Sequence, residues 1–179
     1  MTTIAACRVG STYALASDRR LTTGYMHTDS AEPKIRRVAP WLVLAWSGTS
    51  AAQRWLRATP EILREPSTRD AALAQLDMLA DQWRTWAKDH NVTDTVLTGI
   101  TPWGIVVMHT EGGMDLLAST VYGRGSGGEI AVGAMHALRD FHGDTLTAEA
   151  VAVYGVDVAK LYDIATGGPV DVLTIEAAP

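Results

Sequence analysis

Residues 2–18 read TTIAACRVGSTYALASD: two short runs of β-forming and small residues, TTIAACRV over 2–9 and TYALAS over 12–17, parted by Gly10 and Ser11. Such a break between two such runs predicts a β-hairpin at the amino terminus. Further along, residues 34–39 (KIRRVA) and 41–47 (WLVLAWS) are a second pair of strand candidates. The latter run is apolar enough throughout to be buried on both faces. Four strands therefore lead the chain.

Gly48, Thr49 and Ser50 punctuate the chain after these strands, and a first helix is expected from near Thr49, carrying Ala51, Trp55, Leu56, Ile62 and Leu63, with Thr59 and Pro60 as a local break. Between Thr68 and Lys88 the apolar positions Ala72, Leu73, Leu76, Leu79, Ala80, Trp83 and Trp86 recur at three and four residues, the stripe of an amphipathic helix. Strands are expected in TDTVLTGITP (93–102), WGIVVMHT (103–110) and, after a Gly-rich turn at Glu111 to Gly113, MDLLASTVYG (114–123). GSGG at 125–128 stops the last of these. EIAVGAMHALRDF (129–141) and a Thr147-capped TAEAVAVYGVDVAKLYDI (147–164) read as helices, and PVDVLTIE (169–176) as a final strand. The order ββββ, αα, βββ, αα, β predicts an α+β fold, two antiparallel sheets with helices on both outer faces. The length of 179 residues predicts that 1–179 form a single domain.

Composition narrows the function. Hydrophobic residues make up 47% and charged residues 20%, which excludes disordered and collagen-like chains. No apolar run approaches the roughly 20 residues that cross a bilayer, and MTTIAACRVG lacks the basic start and apolar core of a signal peptide, so a cytoplasmic protein without membrane contact is expected. The lone Cys7 forbids an intrachain disulfide framework and reads as a small core residue. The net charge of −5 argues against nucleic acid as a partner. His27, His90, His109, His136 and His142 have no informative metal-ligand spacing.

GxSxG, Walker A, HExxH and DxDxDG motifs are all absent. What remains is Thr2. Removal of Met1 would place a free α-amine and a hydroxyl on one residue, and an α-amine with a pKa near 7.7–8.0 is a base suited to activating its own hydroxyl at neutral pH. A Met-Thr start is also common by chance, so Thr2 needs company.

That company is TTIAA at the start, ASDRRLTTG at 16–24, Lys34 within PKIRRV, AWSGTSA at 45–51, GRGSGG at 123–128 and YDIATGGPVDVLTI at 162–175. In this ordered set the chain resembles the proteasome β-subunit and HslV peptidase family over essentially its whole length. Intervals of 16 residues from Thr2 to Asp18, 32 from Thr2 to Lys34 and 14 from Lys34 to Gly48 match the family pattern. The resemblance implies an Ntn-hydrolase four-layer αββα sandwich and a threonine-type endopeptidase. It implies Thr2 as nucleophile and general base, Lys34 beside its hydroxyl, Asp18 holding Lys34 as an ammonium, and the Gly48 N–H as oxyanion donor. Ser126 matches the family serine after the second sheet, and Asp163 with Thr166 matches the pair that steadies the amino-terminal amine, with Thr166 in place of the commoner serine. Arg20 is expected to share a face with Asp18 and to pair with Asp163.

For the first substrate pocket the resemblance points to Trp46 and Ser50, with Leu21, Glu32 and Arg36 as neighbours. A tryptophan at its base suggests small or medium apolar side chains. No cofactor is required, and a structural monovalent or magnesium ion on backbone carbonyls is compatible with the family. Homo-oligomeric rings, a polypeptide substrate and an ATP-dependent unfoldase partner are further implications. The direct passage from Met1 to Thr2 resembles HslV, whereas the Asp-Arg-Arg stretch and TGGPVDVLTI look closer to the proteasome side, as in a divergent bacterial or phage homologue. Two other readings stand beside the peptidase: a noncatalytic ring scaffold, and an Ntn amidohydrolase acting on small amides.

Overall fold

The computed structural model describes residues 2–58, 63–111 and 113–178. The predicted amino-terminal hairpin is β1 (Thr3–Val9) and β2 (Thr12–Asp18), paired antiparallel from Ile4↔Ser17 to Val9↔Thr12. β10 (Val121–Gly125) flanks β1 and β11 (Val170–Glu176) flanks β2, which gives a four-stranded antiparallel sheet in the order β10-β1-β2-β11. The second sheet has five strands in sequential order: β5 (Ile35–Ala39), β6 (Leu42–Ser47), β7 (Val96–Thr101), β8 (Gly104–His109) and β9 (Met114–Leu117). Helices α1 (Ala51–Ala58) and α2 (Arg69–Asp89) follow β6, while α3 (Gly128–His142) and α4 (Ala148–Tyr162) lie between β10 and β11.

Strand alternation sorts the side chains into three apolar layers. Ile4, Ala6, Tyr13 and Leu15 of the first sheet meet Ile35, Val43, Ala45, Ile100 and Ile105 of the second. The opposite faces of β1 and β2, with Ala5, Cys7, Ala14 and Ala16, pack on Ala131 and Met135 of α3 and Val151, Ala152 and Val156 of α4. Leu42, Leu44 and Trp46 of β6 pack on Trp55 and Leu56 of α1 and Leu76, Leu79 and Trp83 of α2. The result is an αββα sandwich in which both sheets are covered on both faces. Full burial of each leucine, isoleucine, valine or methionine in these layers stabilises by roughly 1.5–3 kcal/mol.

The helix limits follow from capping. The Thr68 hydroxyl accepts the Ala71 N–H at 3.2 Å at the start of α2, and the Thr147 hydroxyl accepts the Ala150 N–H at 3.1 Å at the start of α4. No helix among the described residues is long and apolar enough to cross a membrane. The Cys7 thiol, inside the layer under α4, donates to Ala148 O at 3.1 Å, and burial pushes its pKa up to about 12, so it is packing and not a nucleophile.

Three expectations need correction. The hairpin of β3 (Arg20–Thr23) and β4 (Met26–Asp29) has no counterpart in the sequence reading, because β4 is exposed throughout and so carries no apolar alternation. The run 114–123 is two strands in different sheets: β9 closes the edge of one, and the chain crosses at 118–120 to add β10 to the other. The first helix is described over Ala51–Ala58 and Leu63 is not helical, while Thr59, Pro60 and Ile62 lie outside the described residues.

Candidate active site

Thr2 immediately precedes β1, and the pairing of Thr3 with Gly125 fixes its position against the end of β10. Gly125 has φ +91°, and a Cβ there would lie 1.7 Å from Thr2 O, so only glycine lets β10 approach this closely. Asp18 closes β2, and Lys34 stands just before β5, where its carbonyl accepts the Trp46 N–H at 3.2 Å. Thr2, Asp18 and Lys34 come from three separate segments and are all buried.

Their polar atoms satisfy one another. The Lys34 ammonium has three protons and three acceptors: Thr2 Oγ1 at 2.9 Å, Asp18 Oδ1 at 3.1 Å and Arg20 O. Burial pushes the Lys34 pKa down, and the charge and hydrogen bond of Asp18 pull it part of the way back. Asp18 in turn accepts four hydrogen bonds. Thr3 N (2.9 Å) and Lys34 Nζ reach Oδ1, while Arg20 N and Gly167 N reach Oδ2, both at 3.1 Å. A buried carboxylate held by three backbone N–H groups and an ammonium is fixed in place and fully compensated.

A second chain of hydroxyls runs behind Thr2. Thr166 Oγ1 donates to Asp163 Oδ2 at 2.5 Å, which uses its only proton, so Thr3 Oγ1 is the donor in the 2.5 Å contact between the two threonines. Ser126 Oγ donates to the same Asp163 oxygen at 2.6 Å, and Ala165 N reaches Oδ1 at 3.1 Å. Burial alone would raise the Asp163 pKa, but these hydrogen bonds outweigh it and hold the carboxyl below its ordinary value.

Thr2, Ser47, Gly48 and Ser126 line one cleft of about 460 Å³, with Asp94, Arg124 and Glu129 also on its walls. Gly48 has φ +114°, and a Cβ would sit 2.4 Å from Asp94 O and 2.6 Å from Thr95 Oγ1. Buried Thr95 clamps this turn, since its hydroxyl accepts the Thr49 N–H at 3.0 Å and donates to Thr93 O at 2.9 Å. On the other side of Lys34 lies a pocket of about 360 Å³ lined by Glu32, Arg36 and Trp46, together with Pro33, Ile35, Gln53, Leu56 and Arg57. Leu21 and Ser50 do not line it: Leu21 packs against the layer under α1 and α2, and Ser50 is exposed at the turn before α1.

Arg20 departs from expectation. Its Nη1 donates to Ile164 O and Thr166 O, both at 3.1 Å, and its nearest carboxylate is Asp29 at 3.9 Å, not Asp163. Asp163 is already occupied by Ser126, Thr166 and Ala165, and glycine at 167 leaves room for the guanidinium, whose Cζ would be 2.1 Å from a Cβ there. Nor does strand alternation run from Asp18 to Arg20, because β2 and β3 belong to different sheets.

Thr3, Thr95, Gln53, Leu56 and Arg57 escape a reading of the sequence. Gln53, Leu56 and Arg57 carry a usable signal, since positions three and four apart at the start of a helix share the face toward the strand it leaves. Thr3 and Thr95 carry none, because a threonine within a strand or just before one is ordinary.

No family model matches the sequence, and no curated protein matches it. Among solved structures, Thiobacillus denitrificans BPH is similar, with TM-score 0.82 and 25% identity over 99% of each chain. The structure of Thiobacillus denitrificans BPH in complex with Epoxomicin gives the same TM-score of 0.82 and identity of 25%, covering 99% of this chain and 100% of that one. Eukaryotic HslV from Trypanosoma brucei shares the fold with TM-score 0.73 and 24% identity, over 97% of this chain and 99% of its own.

Proposed function

We propose that this chain, whose αββα sandwich is that of the proteasome β-subunits and HslV within the Ntn hydrolases, is a threonine-type endopeptidase. The observation that carries the reading is the contact of the Lys34 ammonium with the Thr2 hydroxyl at 2.9 Å, beneath a cleft that also presents Gly48 and Ser126. As long as Met1 is attached, the Thr2 nitrogen is an amide and cannot act as a base. Once Met1 is removed, the α-amine takes the proton of the Thr2 hydroxyl, directly or through water, and Oγ attacks the carbonyl carbon of a peptide bond.

Lys34 supports that step by favouring the developing alkoxide. The tetrahedral oxyanion takes a hydrogen bond from the Gly48 N–H, an interaction whose removal in comparable sites costs about 10²–10³ in rate. Collapse expels the leaving amine with a proton from the Thr2 ammonium and leaves an ester on Oγ. Water, deprotonated by the same α-amine, then hydrolyses the ester and restores the threonine. The reaction calls for no cofactor. The Thr3–Thr166–Asp163–Ser126 chain holds Asp163 ionised next to the amino terminus, where it steadies the ammonium form between the two halves of the cycle.

The complex of the Thiobacillus protein with Epoxomicin supports this assignment by analogy. The joint presence of Thr2, Asp18 and Lys34 weighs against a noncatalytic scaffold. A cytoplasmic homo-oligomeric ring, supplied with unfolded polypeptide by an ATP-dependent unfoldase, belongs to the same reading. Thr2→Ala is expected to abolish peptide hydrolysis while leaving the melting temperature near that of the parent; an active Thr2→Ala protein would sink the mechanism.

A further inference from the structure

We infer that the pocket beside Lys34 receives a side chain ending in a carboxylate, so that the enzyme cleaves after acidic residues, glutamate above all. The inference rests on the peptidase reading and adds to it the class of side chain accepted. It departs from the apolar preference suggested by Trp46 alone.

Three of the lining residues, Pro33, Trp46 and Leu56, are apolar and suit the methylene stem of a substrate side chain. The selection comes from the charges. Lys34 also lines the pocket, but its three protons are committed to Thr2, Asp18 and Arg20. Arg57 Nη2 is committed to Glu32 Oε2, and Gln53 Nε2 donates to the same oxygen at 3.2 Å. The carboxylate on the wall is thus taken up from α1. Arg36, two residues beyond Lys34, has no side-chain hydrogen bond or ion pair among the described residues. Of three cations on the pocket wall, two are paired within the protein and one is open.

A glutamate side chain entering along the apolar wall would present two oxygens to this guanidinium fork, the pairing arginine makes best. A lysine or arginine would meet Arg36 as a like charge and would have to displace Arg57 from Glu32. A leucine would fill the apolar wall and leave Arg36 to solvent.

The test uses the full chain with Met1 removed, and peptidyl aminocoumarins identical except for Glu, Leu or Arg before the cleaved bond. The expected kcat/KM for Glu exceeds that for Leu and Arg at least tenfold, about 1.4 kcal/mol. Arg36→Gln should bring the Glu-to-Leu ratio to within threefold of unity, and Arg36→Glu should shift the preference toward Arg. Preference for Leu or Arg by the parent, or a Glu preference that survives in Arg36→Gln, would overturn the inference. Labelling of Thr2 by a peptide epoxyketone is measured in parallel. A labelled protein that prefers Leu or Arg loses only this inference, whereas a protein that is neither labelled nor active removes the peptidase reading and this inference with it.

Discussion

The Asp163 carboxylate has a definite signature in acid. Burial works to raise its pKa, but the Ser126 and Thr166 hydroxyls and the Ala165 N–H prevail and set the folded value below the ordinary 3.8. Its contribution to stability is therefore complete above 3.8 and is lost as pH falls through the lower folded value. Asp163→Asn should flatten the acid limb of unfolding free energy against pH and leave the slope above about pH 5 unchanged; an unchanged acid limb in urea titrations would mean that these hydrogen bonds do not distinguish the folded state. For single residues the sequence is a good guide to the ionised groups. Asp18 and Lys34 can be identified because they stand at the intervals from Thr2 that the family resemblance marks, and the structure places Lys34 on the Thr2 hydroxyl and Asp18 on Lys34. Arg20 is misjudged because its partners are backbone carbonyls, Ile164 O and Thr166 O, which no side-chain pattern encodes.

Between elements, glycine separates conformational strain from lack of space. Gly10 in the β1–β2 turn has φ +56°, and a Cβ placed there would meet nothing within 4 Å, whereas Gly125 at the end of β10 has φ +91° and Thr2 O at 1.7 Å from such a Cβ. Gly10→Ala should cost only the left-handed backbone penalty, roughly 1–2 kcal/mol in chemical denaturation. Gly125→Ala should cost more than that and should also depress peptide hydrolysis, since Thr2 must move; equal costs for the two would show that β10 does not set the position of Thr2. Elements with an apolar period are legible, as in α2, where Leu76, Leu79, Ala80 and Trp83 are all buried as the stripe requires. The β3–β4 hairpin is not, because a solvated strand pair with Tyr25 and Met26 exposed at its tip lacks the alternation by which strands are read. The β9–β10 division is hidden for a different reason: both halves are strand-like, and only the tertiary choice of sheet separates them.

Across the whole molecule, both sheets are covered, yet large apolar side chains remain outside. Phe141 is 86% exposed at the end of α3, and Leu161, Tyr162 and Ile164 are 74–75% exposed at the end of α4. Clustered apolar side chains at a helix end mark contact surfaces more often than bare solvent. Light scattering on the purified chain should give a mass several times the 19.2 kDa of one copy, and a monomer at micromolar concentration would contradict ring assembly. Whether Thr2 becomes a competent amino-terminal nucleophile is decided by intact mass before and after incubation with a peptide epoxyketone, a probe that reacts with both the hydroxyl and the free α-amine of an amino-terminal threonine. The expected result is loss of Met1 and a one-to-one adduct that maps to Thr2 and is absent from Thr2→Ala. Met1 removed with no adduct, or an adduct that persists in Thr2→Ala, would contradict the threonine mechanism.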